Sequence, residues 1–428
     1  GRDVRDYYEI EFKDDTRQEY LFDGSWKKTE FRYEDIKIAG KENFKDTVAY
    51  TVFGPVMYDK NFAGKRTGNT KNYAVRWKAH DPSNELLIFN KLNHAKNYAD
   101  YQEAVLNLHT PGQNVVFASK SGDIAIRTQG EWPAKWNGQG DFVMPGTDSS
   151  YMWRGMIPDS ETPYQYNPER GFVSSANQRP VDSTYPYYLG REYPSPRGVI
   201  INRMLAKMQQ VTPQDMMRMQ TDNYNVFAEM ARPIFLKNIN PASLSADEQK
   251  YFSMLQNWDL RNDVNSTGAT VFVLTWEKFH PAVFDDEFAN APKPVQRPLE
   301  STLLEGVLKD SAYKFIDNIG TAQQETLANV ALTAFKNAVV ELKKAEADGK
   351  LEWAKYKNTT VSHLAKLAPF SRANLPIGGG TNIINATRDN HGPSWRMVVS
   401  LTNETEAFGI YPGGQSGNPG SRFYDNFV

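Results

Sequence analysis

From about residue 199 to residue 350 the sequence reads almost wholly as helix, while the stretches on both sides of it read as strand. Within that block Thr212-Pro-Gln-Asp215 sets a cap residue before a proline at the first helical position. Ser245-Ala-Asp-Glu248 is a capping box. Arg297 to Asp317, and Ala322 to Ala347 behind a Thr321-x-x-Gln324 box, carry apolar residues at helical spacing. Only Thr270 to Thr275 interrupts the block with a β pattern. Upstream, Tyr8–Phe12, Gln18–Phe22 and Phe31–Ile38 alternate with period two, and Asp23-Gly24 is a hairpin signal. Thr47 to Met57 reads as a further strand, and Val115–Ala118 and Asp123–Arg127 form a second hairpin through Lys120-Ser-Gly122. The pattern predicts an α+β chain in three parts: a β-rich core over 1–198, a helical lobe over 199–350, and strands over 351–428 that complete the core.

Composition removes several classes of function. The 49 Lys and Arg nearly balance the 51 Asp and Glu and form no basic stripe, so no nucleic-acid partner is expected. No apolar run approaches the length that spans a bilayer. Cysteine is absent, which rules out disulfides, thiol catalysis and zinc-thiolate sites within the chain. The chain opens on charged residues without a secretory pattern, and its first strand lacks a start signal, so the sheet is expected to begin upstream of Gly1.

Several segments invite a chemical reading. The run Gly171 to Arg203 opens as a short strand, reaches Asn177 in a polar turn, crosses a Pro/Tyr-rich loop and enters a helix carrying Arg197 and Arg203. An Asn amide donates to a developing oxyanion without carrying charge, and an arginine fixes such an amide in one orientation. The competing reading has Asn177 cap the turn and Arg197 stand in solvent at a helix start. Asp3 and Asp6, three apart, are either half of a calcium site or solvated carboxylates. Glu85 to Leu108 reads as one amphipathic helix with Leu86, Leu87, Phe89, Leu92, Ala95 and Tyr98 mostly in a core. Gly378 to Asn382 lacks the lysine and the flanking elements of a phosphate cradle. Neither Gln415-Ser416-Gly417 nor the His391/Ser394 pair has the spacing of a serine-hydrolase motif, so an ordinary serine hydrolase is a remote reading.

Several specific motifs stand along the chain. They are the Trp77-x-Ala-x-Asp-Pro82 turn, Leu92-Asn-x-Ala-Lys-Asn-Tyr98, Pro111 to Ala118, Ala176-Asn177-Gln178 followed by Arg197-x-x-x-Ile-x-Arg203, His391 to Val398, and Gly413 to Ser421. Together they resemble the penicillin acylase family of N-terminal-nucleophile amidohydrolases along the whole chain. The resemblance implies a four-layer αββα sandwich with an inserted helical lobe. It implies a catalytic serine freed by self-cleavage, whose α-amine, titrating near neutrality, serves as its base. Residue 1 here is Gly, and in the family order it falls several strands after that serine. The chain is therefore expected to be most of a β subunit, with a small α subunit and an upstream β segment from the same precursor as partners.

By the same resemblance Asn177 donates to the oxyanion and Arg197 supports it, while Phe89 and Gln113 line an acyl-chain pocket. Asp3, Asp6 and the carbonyls of Arg5 and Gly140 are implied ligands of a structural calcium ion. The last family carboxylate falls at about Leu189, which offers no ligand. No organic cofactor is implied, the substrate is a small N-acyl molecule, and the compartment is periplasmic or extracellular. The alternative is an acylase scaffold without chemistry that binds amphiphiles or glycans on its aromatic loops.

Overall fold

In a computed structural model the described residues are 4–59, 71–191, 193, 195–291, 295–411 and 413–426. They form two compact units, one of residues 1–175 with 179–193, the other of 176–178 with 194–428.

The first unit is built on a six-stranded sheet. In spatial order its strands are Met144–Pro145, Arg5–Ile10, Asn72–Trp77, Gly54–Tyr58, Phe44–Thr51 and Glu30–Ile36. All neighbours are antiparallel except the edge strand Met144–Pro145, which runs parallel to Arg5–Ile10 with Tyr8 opposite Met144. Along Arg5–Ile10 the alternation sends Asp6, Tyr8 and Ile10 to the buried face. Tyr8 stacks on Phe53 at 4.0 Å between ring centres, and Phe22, Val56, Ala74 and Met144 close the core around them. The expected Asp23-Gly24 hairpin joins Glu19–Phe22 to Ser25–Lys28, both turn residues taking positive φ. Thr47 to Met57 divides into two strands at Val52-Phe53.

A second sheet pairs Gln113–Ala118 with Ile124–Gln129, and that strand with Tyr164–Tyr166. Two helices, Leu86–His94 and Tyr98–Val105, stand where one was expected. Asn97 explains the break: its side chain accepts from Asp100 N–H and starts a new helix. Tyr101, fully buried, ties the second helix to the sheet by donating to Val115 O at 2.7 Å. The first helix buries only Ile88; Leu86, Leu87 and Phe89 are exposed, which corrects their expected place in a core.

The second unit is chiefly helical. Its core joins Val226–Asn238, Ala246–Gln256, Thr267–Phe288 and Leu327–Ala347 through Phe227, Phe235, Phe252, Phe272, Trp276, Phe279, Phe335 and Leu342. Thr270 to Thr275 is the middle of the helix Thr267–Phe288, not a strand. Burial of Thr270, Val271, Phe272 and Leu274 against neighbouring helices overrides the strand propensity of a β-branched run. The capping boxes at Thr212 and Ser245 form as read. The helix expected from Ala322 starts at Leu327 instead, where Thr326 and Asn329 make the reciprocal cap. Arg297 to Asp317 yields the shorter helix Glu300–Lys309 and a 3-10 turn at Lys314–Ile316.

After residue 350 there are two small ladders, Thr359–Val361 with Arg372–Leu375 and Arg396–Ser400 with Glu406–Ile410. Gly413 to Asp425 forms turns rather than a strand among the described residues, with Ser416 N–H donating to Phe423 O. The Gly378–Gly380 cluster points its carbonyls inward. Trp353 Nε1 donates to Gly379 O at 2.6 Å, and the buried Lys357 Nζ donates to Gly378 O at 2.7 Å. Burial moves that lysine down to about 8. Gly379 has φ +82, and a Cβ there would lie 2.0 Å from Asn385 O, so the cluster is a structural turn.

Candidate active site

Asn177 and Arg197 belong to the second unit and meet there. Gly171 to Val173 lies outside any sheet, with Gly171 at φ +72, so the expected short strand is not formed. Ala176 is buried and anchors the turn, whereas Asn177 is exposed with φ +67. Asn tolerates this left-handed conformation better than other residues with a side chain. Gln178 folds back so that its Oε1 accepts from Ala176 N–H at 2.5 Å. The next element, the helix Pro196–Leu205, begins with proline at its first position. Gly198 on that helix lies against Gln178: a Cβ there would sit 3.1 Å from three Gln178 atoms. A glycine at this point lets the helix approach the turn closely.

The outcome is a single well-directed bond. Arg197 Nη2 donates to Asn177 Oδ1 at 2.7 Å. A guanidinium has no acceptor, so the amide must turn its oxygen to Arg197 and its NH2 the other way. The exposed NH2 can donate outward from a plane that the arginine fixes. Arg203, six residues on, instead pairs with Glu229, its Nη1 donating to both carboxylate oxygens at 3.0 and 2.8 Å. The Arg203 bond holds the Glu229 carboxyl below the usual carboxylate range. Arg203 thus ties its helix to Val226–Asn238, and Arg197 is left for Asn177.

The remaining site candidates lie in the first unit. Phe89 is 62% exposed on the helix Leu86–His94, and Gln113 is exposed at the start of its strand, opposite Gln129. Asp3 lies outside the described residues. Arg5 begins its strand opposite Trp77. Asp6 is 1% exposed, and both its oxygens are taken: Lys135 Nζ donates to Oδ1 at 2.8 Å, and Trp153 Nε1 donates to Oδ2 at 2.6 Å. Gly140 abuts this carboxylate; a Cβ there would fall 2.1 Å from Asp6 Oδ1 and 3.1 Å from Lys135 Nζ. Leu189 is buried in an apolar cluster with Val4, Trp132 and Ile157. No group of three or more acidic, His or Cys residues could hold a metal among the described residues. A calcium ion needs six to eight oxygens at 2.3–2.6 Å. An ammonium on one carboxylate oxygen and an indole N–H on the other do not fit it.

The His391 ring bonds to Asn390 Oδ1 at 2.7 Å, and among the described residues no hydrogen bond joins it to Ser394 or Ser416. Arg396 donates to Asn385 Oδ1 rather than to a carboxylate. Sequence reasoning missed Lys135, Gln178 and Gly198. Lys135 had a readable signal, since strand alternation places Asp6 inward and an inward carboxylate requires an internal partner.

The chain belongs to the penicillin amidase family, whose model matches residues 1–428. It is similar to the acyl-homoserine lactone acylase QuiP of Pseudomonas syringae pv. syringae, with 25% identity covering 97% of this chain and 54% of that protein. It is also similar to the penicillin G acylase of Escherichia coli, with 24% identity over 59% of this chain and 29% of that protein. Among solved structures, the thermostable penicillin G acylase from Alcaligenes faecalis shares the fold, with a TM-score of 0.69 at 17% identity over all of this chain and 81% of that one. The chain spans about half the length of the curated relatives it matches. Among the described residues no helix is long and apolar enough to cross a membrane.

Proposed function

We propose that this chain forms most of the β subunit of an acylase that hydrolyses the amide of an N-acyl substrate, such as a β-lactam side chain or an acyl-homoserine lactone. The observation that carries the reading is the Arg197 to Asn177 bond, which fixes an uncharged donor at an exposed turn. The family match and the acylase relatives support it.

A serine upstream of Gly1, freed as an N-terminus, attacks the carbonyl carbon while its own α-amine takes the proton. The carbonyl electrons move to oxygen, and Asn177 Nδ2 with an upstream backbone N–H donates to that oxyanion. Collapse breaks the C–N bond and the amine leaves with the proton. Water then hydrolyses the ester on the serine by the same route. Arg197 touches no reacting atom in this scheme and positions Asn177. Phe89, exposed on its helix, offers an aromatic surface to the acyl chain, and Gln113 offers a polar edge to it. The α subunit and the upstream segment complete the four-layer sandwich and the pocket. The protein works in the periplasm or outside the cell.

The test uses the product of the full-length gene. Incubated with N-phenylacetyl amides and with acyl-homoserine lactones, it releases primary amine from at least one class, and Asn177→Asp lowers the release at least about 100-fold. A folded protein that binds these amphiphiles and frees no amine would instead favour a scaffold kept for binding.

A further inference from the structure

The Asp6 carboxylate lies where the resemblance calls for calcium, and this chain has built something different around it. Strand alternation forces Asp6 inward beside Tyr8 and Ile10. A buried carboxylate must be neutralised or bonded on both oxygens. The segment 132–156 meets both needs. It is folded on Gln139, which is 2% exposed, and its Nε2 donates to Tyr151 O at 3.0 Å. From one side of this segment Lys135 brings its ammonium to Asp6 Oδ1, with the two side chains 0% and 1% exposed. From the other side Trp153 supplies its indole N–H to Oδ2. The Trp153 ring is in turn covered by the Arg76 guanidinium at 4.9 Å and has Lys135 Nζ at 5.8 Å. Gly140, with φ +87, leaves room for the pair where any side chain would collide with it.

We propose that the Lys135 ammonium is the resident cation of this site, taking the place of a divalent metal, so that the protein folds and stays folded without calcium. The charges agree: one ammonium neutralises one carboxylate, and Leu189, where the resemblance puts a further carboxylate, is buried in an apolar cluster. A divalent ion entering here would meet a fixed positive charge and a carboxylate already bonded on both oxygens.

The experiment measures the full-length processed protein, dialysed against EGTA and then returned to millimolar calcium. The expected melting temperature is the same within about 1 °C in both, with less than about 0.1 calcium per chain after gel filtration. One calcium retained per chain, or a fall of more than about 5 °C in EGTA, overturns the proposal. Lys135→Ala sharpens the test, because it leaves Asp6 buried and unneutralised. It should melt on the order of 10 °C lower, and a variant as stable as the natural protein overturns the proposal. Should Lys135→Ala fail to fold, the pair Asp6→Asn with Lys135→Met decides. Removing both charges restores folding if the ammonium serves the carboxylate, and fails to do so if Lys135 acts in another way.

Discussion

Asn177→Asp isolates the amide donor from everything else this position does. Asp keeps the shape of Asn and its tolerance of φ +67, whereas Ala would add roughly 1 kcal/mol of backbone strain. The 2.7 Å contact from Arg197 becomes an exposed ion pair, worth about 0–1 kcal/mol, so folding should be unchanged or slightly improved. The chemistry should suffer on two counts. Loss of one oxyanion donor costs about 3 kcal/mol of barrier. A carboxylate about 4 Å from a developing oxyanion adds repulsion of up to about 4 kcal/mol at an effective dielectric of about 20, which Arg197 partly offsets. The expected fall in kcat is therefore at least about 100-fold, at nearly constant KM. Asn177→Gly, which suits the left-handed turn and lacks the amide, should show the donor loss without the repulsion. Amine release measured on protein confirmed as processed by intact mass provides kcat, and a thermal melt provides stability. An Asp variant with kcat within threefold of the natural protein would refute the assignment, as would a loss of activity that only accompanies unfolding.

Arg197→Lys keeps the charge but not the planar fork, so Asn177 is held less firmly. The expectation is kcat about tenfold lower with KM within twofold, read from the same amine-release assay. Gly140→Ala would press a methyl to 2.1 Å from Asp6 Oδ1 at φ +87, and should lower stability by about 3 kcal/mol, read as a lower urea midpoint. Asp81 is held below its ordinary value of 3.8, chiefly by its two-pronged bond to Arg76 at 2.8 and 2.9 Å. Because the folded value is the lower one, this stabilisation is complete above about pH 4 and drains away as pH falls through the folded value. Melting curves of the natural protein and Arg76→Met should thus converge as pH drops from 5 to 2.5; curves that stay parallel would show that the pair does not carry this acid dependence.

Local chemistry was legible in the sequence wherever it was decided locally. The hairpin at Asp23-Gly24 and the caps at Thr212 and Ser245 depend on residues within a few positions of each other, and they form as read. Thr270 to Thr275 was misread because its conformation is set by burial against distant helices, which no short window contains. The second-helix start at Asn97 was hidden inside a continuous apolar pattern, although the Asn itself was a visible cap. The meeting of Asn177 and Arg197 was anticipated from motif order, but the means was not. Gly198 seated on Gln178 depends on two small features twenty residues apart across a loop. Lys135 at Asp6 was hidden for a like reason: it reaches the carboxylate from 129 residues away, which motif order does not register.

The most direct test of the proposed acylase is the intact mass and N-terminal sequence of the mature protein made from the full-length gene. Two chains, the larger one beginning with a serine upstream of Gly1, are the predicted result. They would supply the nucleophile that the proposed mechanism requires. A single uncut chain, or a larger chain without that serine at its start, would contradict the account and leave an acylase scaffold without its reaction.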